Sequence, residues 1–307
     1  MATRFDRVSP VTIIGAGKIS YTLGRELIAA RYNINSVFSR SFSSARELAF
    51  FLELDNCSDM SGLDPDKFDV FFLSVPDSKI KDVALEIFET GKNLEGKLFI
   101  HLSGSKSTME LKLLEEAGAV TASMHIMQTF PQREEVDLTD CFCAIESNNK
   151  FARDYLHNIG ESTGLKCFTL SAVEKVYYHL SGVMAANFIN ANFEAALLTS
   201  DKIKNIPDVL TYLYPTASKT LLNIKHRGIS EALSGPVQRN DIATIKDHVT
   251  ALKRLDTDEN PMNKYLLISY LSQSILLISA ASKRGEEEDY SKLLAYLEDE
   301  VTRAIEN

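Results

Sequence analysis

Residues 11–24 read VTIIGAGKISYTLG. An apolar, β-rich run ends at Gly15. From Lys18 the spacing turns helical, with Ile19, Leu23, Leu27 and Ala30 on one face. Gly15 permits a tight turn, and Gly17 withholds a side chain so that backbone N–H groups can approach a pyrophosphate. Gly15, Ala16, Gly17, Lys18 and Ile19 are therefore the expected phosphate-binding turn of a dinucleotide site. The third glycine of the usual fingerprint is Ser20 here, which is small enough to keep the helix near its strand. Gly24, one turn on, assists the same close packing.

Working outward, strand-like and helix-like segments alternate. Strands are expected at 36–38, 69–74 (DVFFLS), 97–102 (KLFIHL), 119–124, 141–145 and 166–170, and helices at 43–54, 80–88 and 108–117, the last stopped by Gly118. DVFFLS is nearly all apolar, as a strand covered on both faces must be. This rhythm predicts an α/β fold, a Rossmann-like, mostly parallel sheet, over residues 1–170. From 171 to 307 it is replaced by long helical patterns at 173–198, 207–227, 241–255, 263–281 and 287–305, with breaks at Gly228, Gly235-Pro236, Pro261 and Gly285. An all-helical second domain is expected there, with Pro215 kinking or dividing its second helix.

The second strand ends VFSRSFSSA (37–45). A site for NAD(H) would place a carboxylate there for the ribose 2′-hydroxyl, whereas this chain has Ser39, Arg40 and Ser41 and no acid before Glu47. A guanidinium attracts a 2′-phosphate and can donate two parallel hydrogen bonds, so Arg40 points to NADP(H). Arg46 is a weaker candidate.

Ligands of doubly wound sheets bind beyond the carboxyl ends of the strands. Ser74, Val75 and Pro76 are expected to wall the ribose and nicotinamide, and Asp77 to cap the next helix. The hydroxyl and backbone donors near Ser103 and Gly104 are expected to hold an anionic substrate. His125 and Gln128 end a later strand. His101 lies inside its strand, either as a satisfied core histidine or in a direct role. In SAVEKVYYHLSGVMAANFINANFE (171–194), Lys175 and His179 share a helix face, and either could manage a proton. Asn187 lies on a neighbouring face. In ALSGPVQRNDIATIKDHV (232–249), Arg239 reads as an anion contact or as a salt bridge fixing its turn. Lys175, His179, Asn187 and Arg239 could equally be structural.

The chain has 307 residues, 45% of them hydrophobic, and a net charge of −9, which gives no support for non-specific nucleic-acid binding. Residues 285–307 carry eight acidic and two basic side chains, read as a solvated helix face. The four cysteines lack a redox or zinc spacing and read as free thiols. The histidines show no metal-type pairing, and whether His101, His125, His179 and His248 converge is left open. No leader is evident, and 265–281 falls short of a membrane span. A cytoplasmic protein with no membrane partner is expected.

The motifs GAGKISYTLG (15–24), FLSVPD (72–77), HLSG (101–104), HIMQTF (125–130), YYHLSGVMAAN (177–187) and ALSGPVQRND (232–241) followed by His248 together resemble a family of NADP oxidoreductases. These join an N-terminal Rossmann-like domain, of the coenzyme F420-dependent-oxidoreductase type, to a helical C-terminal domain of unknown function. The resemblance implies a helical domain related to those of 6-phosphogluconate and 3-hydroxyisobutyrate dehydrogenases and pyrroline-5-carboxylate reductase, and a homodimer through it. Lys175 looks like the catalytic lysine of the hydroxyacid dehydrogenases, while their asparagine four residues later is His179 here. The family's usual His-Pro-x-Gln-Thr-Phe has Ile126 in place of proline. The expected activity is NADP(H)-dependent hydride transfer to or from a small, anionic carbonyl, hydroxy or imine compound. NAD(H) and coenzyme F420 are the lesser cofactor candidates. The alternatives are a non-catalytic NADP(H) sensor and a structural dimerisation protein.

Overall fold

The structure is a computed structural model that describes residues 5–205, 207–255, 262–284 and 288–306. The breaks at Pro261 and Gly285, and the expected start of the last helix at Glu287, lie outside the described residues. The chain forms two compact units, Met1–Asn187 and Phe188–Asn307.

Among the described residues, the first unit is built on strands β1 (Val11–Ile14), β2 (Ile34–Ser39), β3 (Asn56–Asp59), β4 (Val70–Leu73), β5 (Leu98–His101), β6 (Val120–Ile126), β7 (Phe142–Glu146) and β8 (Lys166–Thr169). Their order in one sheet is β3-β2-β1-β4-β5-β6-β7-β8. All neighbours run parallel except β6 and β7. The α/β reading of this half therefore holds. β3 escaped the sequence analysis because Asn-Cys-Ser-Asp is a short edge strand with no apolar run.

Helices α1 (Lys18–Ala29), α2 (Phe42–Phe51), α3 (Ile80–Glu89), α4 (Lys112–Glu116), α5 (Lys150–Thr163) and α6 (Ala172–Gly182) belong to the same unit. One core packs Leu23, Leu48 and Leu156 of α1, α2 and α5 with Ile13, Val37 and Cys143 of the sheet. A second packs Ile80, Ile87 and Leu114 of α3 and α4 with Phe71 and Phe99. Both faces of the central strands are thus covered, which is why β1, β4 and β5 are buried at every position.

The alternation stops at residue 170, but the compact unit continues to Asn187. The reason is α6, whose Lys175 is buried against the sheet. The single helix expected over 173–198 is two, α6 and α7 (Phe188–Ser200), with a π-helical segment, Val183–Asn187, between them.

The second unit continues with α8 (Val209–Arg227), α9 (Ile229–Ala232), α10 (Ile242–Leu255), α11 (Asn263–Ala281) and α12 (Ser291–Glu306). Pro215 lies inside α8 without dividing it. Ile245, Val249 and Leu252 of α10 pack with Leu267 and Leu271 of α11 and with Leu293 and Leu297 of α12. Contrary to the sequence expectation, α11 and the turn after it, Asn263–Arg284, are long and apolar enough by length and composition to cross a membrane. The same helix supplies the centre of this core.

Candidate functional site

β1 ends at the switch point of the sheet, where one neighbour is β2 and the other β4. Gly15 has φ +98°, a conformation open to glycine but strained for other residues. Its N–H donates to the Phe38 carbonyl at 2.6 Å, and its carbonyl accepts from the Ser20 hydroxyl at 2.9 Å. Ser20 thus braces the turn as well as sparing room for it. A Cβ on Gly17 would stand 2.8 Å from the Ser74 carbonyl and 2.9 Å from Ser74 Oγ. Both glycines are needed for α1 to begin this close to β4. Gly24 serves packing in another direction, since a Cβ there would meet Leu52 at 2.7 Å.

No side chain caps α1. The first amides of a helix have no partner within it and carry the positive end of its dipole. Ser74 Oγ, beside Gly17, is buried without a hydrogen-bond partner among the described residues. An uncapped helix start and an orphaned hydroxyl in one corner fit a diphosphate. At the end of β2, Ser39 is buried, Ser41 caps α2 by accepting from Ser44 N–H, and Arg40 is exposed and makes no ion pair among the described residues. Arg40 is therefore free to meet a phosphate. Ser41 is already engaged in its cap.

The turn opens into a cleft of about 400 Å³, lined by Gly17, Lys18 and Ile19, by Ser74, Val75 and Pro76, and by Ser103, Gly104, His125 and His179. Gln128 and Phe130 also line it. The His125 and His179 rings meet edge to face, with centroids 5.4 Å apart. A Cβ on Gly104 would stand 2.5 Å from His179 Nδ1 and 2.7 Å from His125 Nε2. Gly104 is thus the floor on which two imidazoles close.

His125 Nδ1 lies 3.4 Å from the Leu102 carbonyl, which can only accept, so Nδ1 carries the proton and Nε2 is left as an acceptor. Burial pushes His125 down to about 4, partly opposed by that hydrogen bond. His101 is fully buried. Its Nδ1 accepts from Ser103 N–H and its Nε2 donates to the Ser107 carbonyl. Burial, reinforced by Lys175, pushes His101 down to about 3. It is a core histidine holding the loop after β5.

Both depressed values fix the acid behaviour of the fold. Below the ordinary histidine range the unfolded chain binds protons that the native imidazoles refuse, so stability falls with pH from about 6.5 toward 4. These two residues steepen the loss between pH 6 and pH 5 by about 2 kcal/mol per pH unit. Urea unfolding at pH 7, 6 and 5 measures it, and equal stability at all three would contradict the neutral, buried imidazoles.

Three expectations change here. Ser103 was read as a donor for an anion, but its hydroxyl donates to Asp77 Oδ2 at 2.7 Å and accepts from Lys106 N–H at 3.0 Å. Asp77 was read as a helix cap, yet it caps nothing and accepts from Ser103 and Ser105. It ties the loop after β4 to the loop after β5. Lys175, expected at the reacting atoms, is 1% exposed and absent from the cleft lining. Its ammonium donates to the Lys106 carbonyl and Ser123 Oγ, with Glu146 Oε2 at 3.5 Å. Burial lowers its pKa to about 8 against the pull of Glu146. Glu146 was missed, although an acid ending the apolar run CFCAIE was a signal for a buried cation.

Asn187 is exposed at the end of the π-helical segment. Arg239 lies in the second unit, exposed on the turn before α10, and makes no ion pair among the described residues. That turn is held instead by Asn240, which donates to Glu288 and the Asp289 carbonyl, and by Asp241, which caps Thr244. His248, also in the second unit, meets Tyr270 Oη at 2.9 Å. Among the described residues, no three His, Cys, Asp or Glu side chains are placed to hold a metal, and the four cysteines are free.

The fold and this corner define a protein with a dinucleotide-type Rossmann unit and a helical unit. Residues 2–126 match the model of a Rossmann-like domain, and residues 141–270 match a domain of unknown function, DUF2520. The chain thus carries a stretch similar to each of these two domain models, in that order. No curated protein matches it in sequence. Among solved structures it resembles a Bacteroides fragilis protein provisionally named an NADP oxidoreductase, at 25% identity and TM-score 0.72 over 89% of this chain and 99% of that one. It also resembles a Thermotoga maritima protein, at 22% identity and TM-score 0.68 over 90% and 100%. A third is a reductive aminase from Aspergillus terreus in complex with NADPH, at 14% identity and TM-score 0.59 over 94% and 99%. The last two likenesses are of fold.

Proposed function

We propose that this protein is an NADP(H)-dependent oxidoreductase that moves hydride to or from a small carbonyl, alcohol or imine carbon. The observation that carries the reading is one corner: the uncapped start of α1 over Gly15 and Gly17, the orphaned Ser74 hydroxyl, and a cleft leading from it to two imidazoles. The Bacteroides protein's name and the NADPH held by the Aspergillus enzyme support the same cofactor and reaction class.

The amides of Lys18 and Ile19 and the Ser74 hydroxyl would hold the diphosphate, Arg40 the 2′-phosphate, and Val75 and Pro76 the ribose and nicotinamide. NADPH, when bound, supplies the hydride. His179 would handle the proton at the reacting oxygen or nitrogen. His125, with Nε2 as an acceptor, would take a hydrogen bond from a hydroxyl, amine or iminium of the substrate. Gly104 gives that atom room beside both rings. We propose Asn187 as a further polar contact.

We propose a cytoplasmic homodimer through the helical half. α7 buries only Ser200 and α8 only Val209, while Leu210, Tyr214, Leu221 and Leu222 of α8 are exposed. Helices with so little burial need a partner surface. Sedimentation at two concentrations checks the dimer.

Calorimetric titration with NADPH and NADH, followed by cofactor oxidation with ketoacids, hydroxyacids and cyclic imines, tests the function. Binding without turnover on any of them would favour a sensor. Binding of neither cofactor would remove the reading. Arg40→Ala weakens NADPH by about 10- to 100-fold, the worth of a charge-assisted pair. NADH, which lacks the 2′-phosphate, changes by less than about twofold. Equal loss for both cofactors would take Arg40 off the phosphate.

A further inference from the structure

We infer that Lys175 is a positioning residue: it pins α6 to the sheet so that His179 stands over Gly104, and it does not itself meet the substrate. The inference rests on the oxidoreductase reading only where turnover is concerned.

α6 presents mostly apolar side chains to the outside, with Val173, Val176, Tyr177 and Leu180 exposed. Lys175 is its one buried residue. Tyr178 adds an edge contact to Phe168, with centroids 5.3 Å apart, and another to His125 at 6.0 Å. The principal anchor of the helix is therefore a cation driven into a polar socket.

That socket joins three segments. The Lys106 carbonyl belongs to the loop after β5, Ser123 to β6 and Glu146 to β7, and Ser123 and Glu146 are directly paired across the two antiparallel strands. An ammonium has three protons, and three acceptors surround this one, so none is left over for a ligand. Glu146 uses its other oxygen on Thr108, accepting from N–H and Oγ1 at 3.1 Å each. The ion pair thus holds the 103–108 loop from two sides.

The geometry then closes on itself. His179 lies one helical turn beyond Lys175 on the same face. Its ring rests on Gly104, two residues before the carbonyl that Lys175 grips. One side chain therefore sets both the height of His179 and the place of the backbone beneath it. A displacement of about 1 Å at such a group costs about 10²-fold in turnover.

The test uses the full-length protein saturated with NADPH. The His179 imidazole resonance is assigned by its disappearance in His179→Gln and is then followed in Lys175→Met. It is expected to move, with turnover of whichever substrate the panel identifies falling about 10²-fold and the NADPH Kd within about twofold of wild type. Lys175→Met strands the Glu146 carboxylate, so the double variant Glu146→Gln/Lys175→Met is the folding control. It recovers melting temperature, because no charge is left unpaired, while the His179 resonance stays displaced and turnover stays low. A His179 resonance at its wild-type position in these variants overturns the inference. So does a pH–rate profile that loses one limb while that resonance stays put, which would make Lys175 the proton donor. A displaced resonance in a protein that oxidises no cofactor with any substrate removes the oxidoreductase reading and leaves the positioning role standing.

Discussion

Gly17→Ala lowers the affinity for NADPH by about 10²-fold and leaves the protein folded. The backbone at Gly17 has φ −69°, which alanine adopts freely, so no conformational strain is added. The obstacle is contact. The new methyl group would stand 2.8 Å from a backbone carbonyl, that of Ser74, and 2.9 Å from Ser74 Oγ. β4 is buried at every position and cannot give way, so the start of α1 must lift from it. The amides of Lys18 and Ile19 then leave the place where phosphate oxygens would sit. One or two charge-assisted hydrogen bonds, each worth about 1.5 to 3 kcal/mol, are lost or stretched, which corresponds to roughly two decades in Kd. Gly15→Ala is the contrasting case. It adds a left-handed φ to a still closer approach to the same carbonyl, and the fold itself suffers. Calorimetry and a melting curve on the two variants separate the effects. Undiminished NADPH binding by Gly17→Ala would move the diphosphate elsewhere.

His179→Ala and His125→Ala each reduce turnover by about 10²- to 10⁴-fold, the range for general acid–base groups. Their double variant is barely slower than the worse single one, because residues that act as a unit are not additive. The rings share one contact point at Gly104, and among the described residues a carbonyl stands behind His125 but not behind His179. His125→Asn refines the assignment. The asparagine amide can still donate toward Leu102, but its acceptor oxygen falls short of the place of His125 Nε2. Activity retained by His125→Asn would make the ring a spacer. Strictly additive losses in the double variant would give the two histidines separate tasks. NADPH binding is unchanged in each, since neither ring belongs to the phosphate corner.

The glycine turn was legible because its chemistry is local: a strand, two residues without side chains and a helix stand consecutively in the chain. The position of Arg40, the residue after the next strand, could be read for the same reason. Asp77 and Ser103 were misread because their partners are each other, brought together by the pairing of β4 with β5. β3 was missed because an edge strand needs little apolar pattern.

Lys175 and His179 make the division plainest. Periodicity by itself placed them on one face of one helix, and the βα alternation determined the sheet whose strand ends would carry a ligand. Only the tertiary structure sent the lysine inward to Ser123 and Glu146 and left the histidine in the cleft. The physical reason is desolvation: a buried carboxylate on β7 requires a cation, and Lys175, which meets it, lies on a helix that no local rule could orient.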